Sequence, residues 1–281
     1  MSGKIRVGIS GWTYAPWRGD FYPKGLVQKK ELEYASRQLT SIEINGTFYG
    51  LQKPKSFLEW YKQTPDDFMF SIKGGQFITH VRRLKDVMEP LATCLGSGLL
   101  CLKQKLGPIL WQFPPNVTLK DDRFEKFFEI LPHDSKSAAK FADEHGYKKE
   151  GGYFVDVTED FPIRHAFEFR HPSFDNPEFI ELMRKHGVAV VIAHAGAEKS
   201  PYIEETTARD FVYVRMHGQG KAFKKGYPED ELKAWAKKVK GWAKDGRDVF
   251  VYFDTDEKEY APSDAANFLK QLKIKVPGYT G

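Results

Sequence analysis

Eight short apolar runs recur along this chain of 281 residues, and in several of them greasy and charged side chains alternate. The sharpest case is Ala166-Phe167-Glu168-Phe169-Arg170-His171. In an extended chain successive side chains point to opposite faces, so Phe167 and Phe169 share one face while Ala166, Glu168 and Arg170 share the other. The same split sets Ile42 and Ile44 against Glu43 and Asn45, Phe70 and Ile72 against Ser71 and Lys73, and Val212 and Val214 against Tyr213, Arg215 and His217. Several strands thus aim polar groups at one place.

Periodicity places the strands at 5–9, 41–45, 68–73, 108–113, 166–171, 188–194, 211–216 and 248–254. Helix-periodic stretches lie between them. The first spans 28–39, with Leu32, Ala35 and Leu39 on one face, and a short one carries Phe57, Leu58 and Tyr61. Leu91, Leu95 and Leu102 stripe a longer stretch, and Phe124, Phe127, Phe128 and Leu131 stripe the next. Asn176-Pro177 and Gly187 are an N-cap, a first-turn proline and a C-terminal glycine for another. The clearest helix carries Leu232, Trp235, Val239 and Trp242, opens on Glu229, Asp230 and Glu231 and ends in lysines, as the helix dipole favours. A last helix is expected over 263–272, whereas 195–209 shows no helical stripe. Residues 133–160 fit the alternation worst and read as an insertion.

Strands alternating with helices define a parallel α/β fold, and the count of eight favours a closed barrel. The expected architecture is one (β/α)8 TIM-like barrel domain over 1–281, with the insertion between strands 4 and 5. In such barrels function gathers at the C-terminal ends of the strands.

Hydrophobic content of 41% and aromatic content of 15% suit a packed globular protein. No apolar run approaches the roughly 20 residues that span a bilayer. The opening Met-Ser-Gly-Lys-Ile-Arg runs into the first strand without a signal-peptide pattern, so a cytoplasmic protein with no membrane contact is expected. Cys94 and Cys101 fall in a stretch read as helical, where they would sit roughly 10 Å apart along the axis, beyond disulfide reach. A net charge of +5 and a pI near 8.9 permit an anionic partner, a small phosphorylated ligand or nucleic acid. Nothing in the sequence fixes an oligomeric state.

The chain resembles the YecE-like family, a group of barrel proteins catalogued as a domain of unknown function. The resemblance runs through Gly8-Ile9-Ser10-Gly11-Trp12, Phe21-Tyr22-Pro23, Ile42-Glu43-Ile44-Asn45-Gly46-Thr47-Phe48-Tyr49, Thr79-His80, Gln112-Phe113-Pro114-Pro115, Phe167-Glu168-Phe169-Arg170-His171 and Tyr213-Val214-Arg215-Met216-His217-Gly218. It implies a TIM-barrel-like fold and brings no settled activity. Where relatives often end the eighth strand in Asn-Asn-Asp or Asn-Asp, this chain has Phe253-Asp254-Thr255-Asp256, a departure that bears on Asp254.

Strand parity then predicts a mouth presenting Glu43, Asn45, Lys73, Gln112, Glu168, Arg170, His194, Arg215, His217 and Asp254, with His80 on a nearby loop. Arg170 and Arg215 offer fork-shaped donors for carboxylate or phosphate, and Lys73 adds a point charge. Glu168 and His217 form the natural proton-transfer pair, with Glu43 a further catalytic candidate, and Asn45 and Gln112 would orient the ligand. Trp12, Tyr14, Trp17 and Tyr49 are candidates for a stacking wall. The loop His217-Gly218-Gln219-Gly220-Lys221, with Lys224, Lys225 and Gly226, could cradle phosphate.

These residues predict an enzyme, a hydrolase, lyase or isomerase working by acid/base chemistry on an anionic substrate. The bland alternative is a self-neutralising buried network that only closes the barrel. No cofactor is firmly implied. A divalent metal on Glu168, His194 and His217, serving a phosphodiesterase, is a second reading, although no H-x-x-x-H spacing supports it and nearby arginines would repel a cation. A non-catalytic nucleotide or nucleic-acid binder is a third.

Overall fold

The computed structural model describes residues 2–279 apart from 197–199, 219, 221–222 and 256–257. Its strands are β1 (Ile5–Ser10), β2 (Ser41–Ile44), β3 (Met69–Lys73), β4 (Leu106–Gln112), β5 (His165–Glu168), β6 (Ala189–His194), β7 (Phe211–Met216) and β8 (Asp248–Phe253). All neighbours pair in parallel and in sequence order, and β8 returns to β1, closing the barrel. Closure removes the sheet edges that an open parallel sheet would leave unpaired.

The sheet separates two cores. Inside the barrel, Leu110, Ala166, Ala189, Val191, Tyr213, Phe250 and Tyr252 form one cluster. Outside, Ile42, Ile44, Phe70, Ile72, Phe167, Val212 and Val214 join the larger core under the helices. The apolar face of each amphipathic strand therefore looks outward, and the polar face looks into the barrel. The interior hydroxyls are satisfied: Ser41 Oγ and Ser71 Oγ lie 2.6 and 2.7 Å from the Tyr252 hydroxyl. Gly8 is needed where β1 approaches β2, since a Cβ there would lie 2.0 Å from the Ser41 carbonyl oxygen.

The helices are α1 (Glu31–Gln38), the single turn α2 (Gly46–Tyr49), α3 (Pro54–Gln63), α4 (Met88–Gly96), α5 (Arg123–Ile130), α6 (Ser135–His145), α7 (Pro177–Lys185), α8 (Glu229–Lys244) and α9 (Ala261–Leu272). Asn176 caps α7 by accepting from Phe179 N at 3.0 Å, as its sequence signature predicts. Between β4 and β5 a second helix, α6, is capped by Asp134 and lies on α4, where Tyr147 N donates to Thr93 Oγ1 at 2.8 Å.

Several expected bounds shift. The stretch 28–39 divides into a 3-10 turn at Gln28–Lys30 and α1. The helix expected to hold both cysteines breaks at Gly98, whose φ of 119° no other residue adopts easily. Cys101 and Leu102 therefore lie in a separate 3-10 segment, Leu99–Lys105, and both thiols are free, each pushed up to about 11 by burial. Thr79 and His80, expected on a loop, lie in a π-helical turn, Phe77–Val81. The fifth strand ends at Glu168, leaving Arg170 and His171 beyond it.

Asp264, in the first turn of α9, accepts from Tyr227 N at 3.0 Å through Oδ1, while its buried Oδ2 has no partner. Burial raises this carboxyl from 3.8 to about 6. Between pH 4 and 6 the folded chain holds a proton that the unfolded chain has released, so stability falls as pH rises through that window and the full cost stands at pH 7. Asp264→Asn is expected to stabilise the protein at pH 7 by about 1–3 kcal/mol and to have little effect near pH 4. Urea denaturation of both proteins at the two pH values checks this.

Candidate active site at the barrel mouth

The inward faces of β1 to β5 and of β7 carry Ser10, Glu43, Lys73, Gln112, Glu168 and Arg215 to the C-terminal rim. Pairing sets Ser10 beside Glu43 across β1 and β2, and Gln112 beside Glu168 across β4 and β5. At the centre is Arg215 of β7, fully buried. Its Nη2 donates to Glu43 Oε1 at 2.8 Å and to Asp254 Oδ2 at 2.6 Å, and its Nη1 donates to Glu168 Oε2 at 2.6 Å. Glu43 is further held by Ser10 Oγ at 2.8 Å and the Tyr213 hydroxyl at 2.7 Å.

Arg170 reaches back from beyond β5 to pair its Nη2 with Glu168 Oε1 at 2.6 Å. His217 Nε2 lies 3.0 Å from that same Oε1, and His217 Nδ1 lies 3.0 Å from the Asp254 carbonyl oxygen. A carbonyl only accepts, and an ionised carboxylate only accepts, so both ring nitrogens are placed to donate.

Burial alone would push the Glu168 carboxyl up; Arg215, Arg170 and His217 together outweigh it and hold Glu168 well below the usual carboxylate range. Asp254 is lowered by the same contest, with burial opposed chiefly by Arg215. Arg215 is held charged by Glu168, Glu43 and Asp254 against the pull of burial. Burial and then Glu43 push the Tyr213 phenol up, so it remains a donor to that carboxylate.

Lys73 differs from the arginines. It ends β3 on the inward face, and its Nζ sits 4.5 Å over the Phe48 ring, with no ion pair or hydrogen bond to another described residue. Burial, followed by Arg215, lowers its ammonium below the ordinary lysine value despite the three carboxylates. His80 packs edge to face with Phe48, ring centroids 5.0 Å apart, and its Nδ1 lies 2.8 Å from Thr79 Oγ1. Burial and Lys73 lower its imidazole.

Glu43, Glu168, Arg215, His217 and Asp254 are thus joined in one network, with Arg170 at its rim and Lys73 beside it. Gln112 shares the face of Glu168 and is partly exposed. Asn45 follows Glu43, and its Oδ1 is buried without a partner. Arg215 does not present the open fork expected of it, because both Nη atoms are spent on carboxylates.

His194 does not join this network. It is registered beside Met216, on the outward face, and its Nδ1 lies 3.0 Å from the Tyr227 hydroxyl amid Phe223 and Trp235. Placing it at the mouth overlooked that it shares parity with Val190 and Ile192, which pack under the helices. Among the described residues no three His, Cys, Asp or Glu side chains are placed to hold a metal ion.

The stacking wall also divides. Trp17 is buried in the outer core with Tyr14 edge-on to it at 5.3 Å, Trp12 packs on Trp60 at 5.2 Å, and Tyr49, 75% exposed, lies against Phe48. In the loop after β7, Gln219 and Lys221 lie outside the described residues; Gly218 N is spent on the Tyr227 hydroxyl at 2.7 Å, and Lys224 and Lys225 are exposed.

Sequence reasoning missed Ser10, Tyr213 and Phe48 as site residues. Tyr213 was legible, since it shares the face of Arg215. Ser10 needed the register of β1 on β2, and no local signal marks Phe48.

A closed parallel barrel with a buried arginine and carboxylate cluster at its C-terminal rim belongs to the class of TIM-like barrels with a built mouth. The chain is a member of the family described as protein of unknown function DUF72, whose model matches residues 6–279. It is 24% identical to the UPF0759 protein YunF of Bacillus subtilis over 304 residues, covering 98% of this chain and 96% of the relative. It is 32% identical to the UPF0759 protein YecE of Escherichia coli over 123 residues, 39% of this chain and 43% of that one. The crystal structure of the DUF72 protein TM1631 from Thermotoga maritima matches with a TM-score of 0.72 at 26% identity, covering 96% of this chain and 99% of that one. That of EF0366 from Enterococcus faecalis, at 18% identity and a TM-score of 0.68 over 97% and 99%, shares the fold. Among the described residues no helix is long and apolar enough to cross a membrane.

Proposed function

We propose that the protein is an enzyme that binds a phosphorylated or otherwise anionic substrate at the barrel mouth and transforms it by general acid/base chemistry. The observation that carries the reading is Lys73. A network serving only to close the barrel would pair every cation, yet the three carboxylates are engaged by Arg215, and Lys73, within their field, rests over Phe48 with no ion pair or hydrogen bond to another described residue. An incoming anion would supply the missing counter-charge and reverse the depression of the Lys73 ammonium.

Arg170 is the second anchor, for it is bound to Glu168 through one nitrogen and keeps the rest of its planar donor set. An anion that draws Arg170 away would free a lone pair on Glu168 Oε1 to take a proton from the substrate. His217, donating to the same oxygen, would return one. Hydrolysis, elimination and isomerisation all need such a proton relay.

Arg170→Ala and Lys73→Met are each expected to weaken inorganic phosphate binding about tenfold or more, the worth of a charge-assisted hydrogen bond. Isothermal titration calorimetry reads the loss. Unchanged affinity in both variants would remove the basis for the anion site.

A further inference from the structure

Beside the network, between the ends of β1 and β2, lies a cleft of about 330 Å³. It is lined by Ser10, Trp12, Thr13, Asn45, Gln52 and Trp60, among others. Trp12 and Trp60 meet edge to face at 5.2 Å and form its apolar wall. Around them are hydroxyl and amide groups and Lys258, and the Asn45 Oδ1 is buried without a donor among the described residues. A buried acceptor left unpaired is costly, so a donor that reaches Asn45 is favoured. Ser10 both lines the cleft and donates to Glu43 at 2.8 Å, so an occupant would sit one hydrogen bond from the Glu43–Arg215 pair.

We infer that this cleft is a subsite for a sugar ring, and that the ligand of the mouth is a sugar phosphate. The inference rests on the anion-binding reading and adds the part of the ligand that carries no charge. A pyranose has C–H faces that pack on indole and a rim of hydroxyls that pair with hydroxyl and amide side chains, and the cleft offers both in alternation. A flat nucleobase would want a broad open ring face and fewer polar partners. A second cleft lined by the same tryptophans, with Gln28 and Gln63, lacks any unpaired buried acceptor among its described lining residues and serves as a control.

Calorimetric titration with glucose 6-phosphate, glycerol 3-phosphate, AMP and inorganic phosphate tests the assignment. Glucose 6-phosphate is expected to bind at least about tenfold tighter than inorganic phosphate, with glycerol 3-phosphate close to phosphate. Asn45→Ala, which breaks no side-chain hydrogen bond at Oδ1, is expected to lower the glucose 6-phosphate affinity toward that of phosphate and leave phosphate itself unchanged. Trp12→Phe should act in the same direction, and Gln28→Ala should change nothing. Glucose 6-phosphate binding no tighter than phosphate overturns the sugar subsite even where the anion site stands. AMP binding tighter than glucose 6-phosphate overturns it in favour of a base. Phosphate affinity unchanged in the Arg170 and Lys73 variants, with glucose 6-phosphate still preferred, would overturn the anion site and leave the sugar subsite standing.

Discussion

Arg215→Leu is expected to lower the free energy of unfolding by about 3–5 kcal/mol at pH 7, the largest single effect in the barrel. The guanidinium is fully buried and is the common partner of Glu43, Glu168 and Asp254. Removing it leaves three carboxylates crowded in a low-dielectric interior, with Arg170, Lys73 and His217 as the nearby donors. The size of the effect should depend on pH. Glu168 and Asp254 are both held below their ordinary values, so the wild type gains stability from them above the unfolded carboxylate pKa of about 4 and loses it as pH falls through the folded values. Leucine abolishes most of that gain, and the two unfolding curves should converge below pH 4. Arg215→Lys should fall between them, because one ammonium cannot reach three carboxylates in the fixed geometry of the fork. Urea denaturation across pH reads all three; a leucine variant as stable as wild type at pH 7 would mean that the carboxylates are protonated and the network is not ionic.

Glu168→Gln is expected to reduce turnover of a sugar phosphate substrate about 100- to 10,000-fold, the usual weight of one general acid/base group. The fold should persist at some cost in stability: glutamine keeps the shape, but its single oxygen can accept either from Arg215 or from Arg170 and His217, and its NH2 then faces a donor. Phosphate binding should hold or tighten, because one of three carboxylates is neutralised while the cations remain. Separating kcat from phosphate affinity is therefore the informative measurement. Wild-type kcat in this variant would sink the catalytic role of Glu168, whereas a loss confined to affinity would turn Glu168 into a binding group.

Much of this was readable before any coordinates. The two-faced strands were legible because a β-strand has a side-chain period of two and a barrel buries both faces differently, so Phe167 and Glu168 had to part company. The helices α7 and α8 announced themselves through caps, terminal charges and apolar stripes. The errors have equally local causes. Gly98 ended a helix that leucine periodicity alone would have continued, and His194 was assigned to the mouth although its parity follows Ile192.

What the sequence determined by itself is the architecture and the set of side chains sent into the barrel, because both follow from short-range periodicity and the count of strands. What the tertiary structure alone decided is how those side chains divide the work. Arg215 and Arg170 look alike in sequence, yet one is locked among three carboxylates and the other stands at the rim with donors to spare. Lys73 looks like a third cation, yet only the closed barrel shows it over Phe48, with no direct ion pair to another described residue. The physical reason is that pairing among Glu43, Glu168, Arg215 and Asp254 joins strands as far apart in sequence as β2 and β8. That pairing is fixed by closure of the sheet and by the burial that makes each unpaired charge costly.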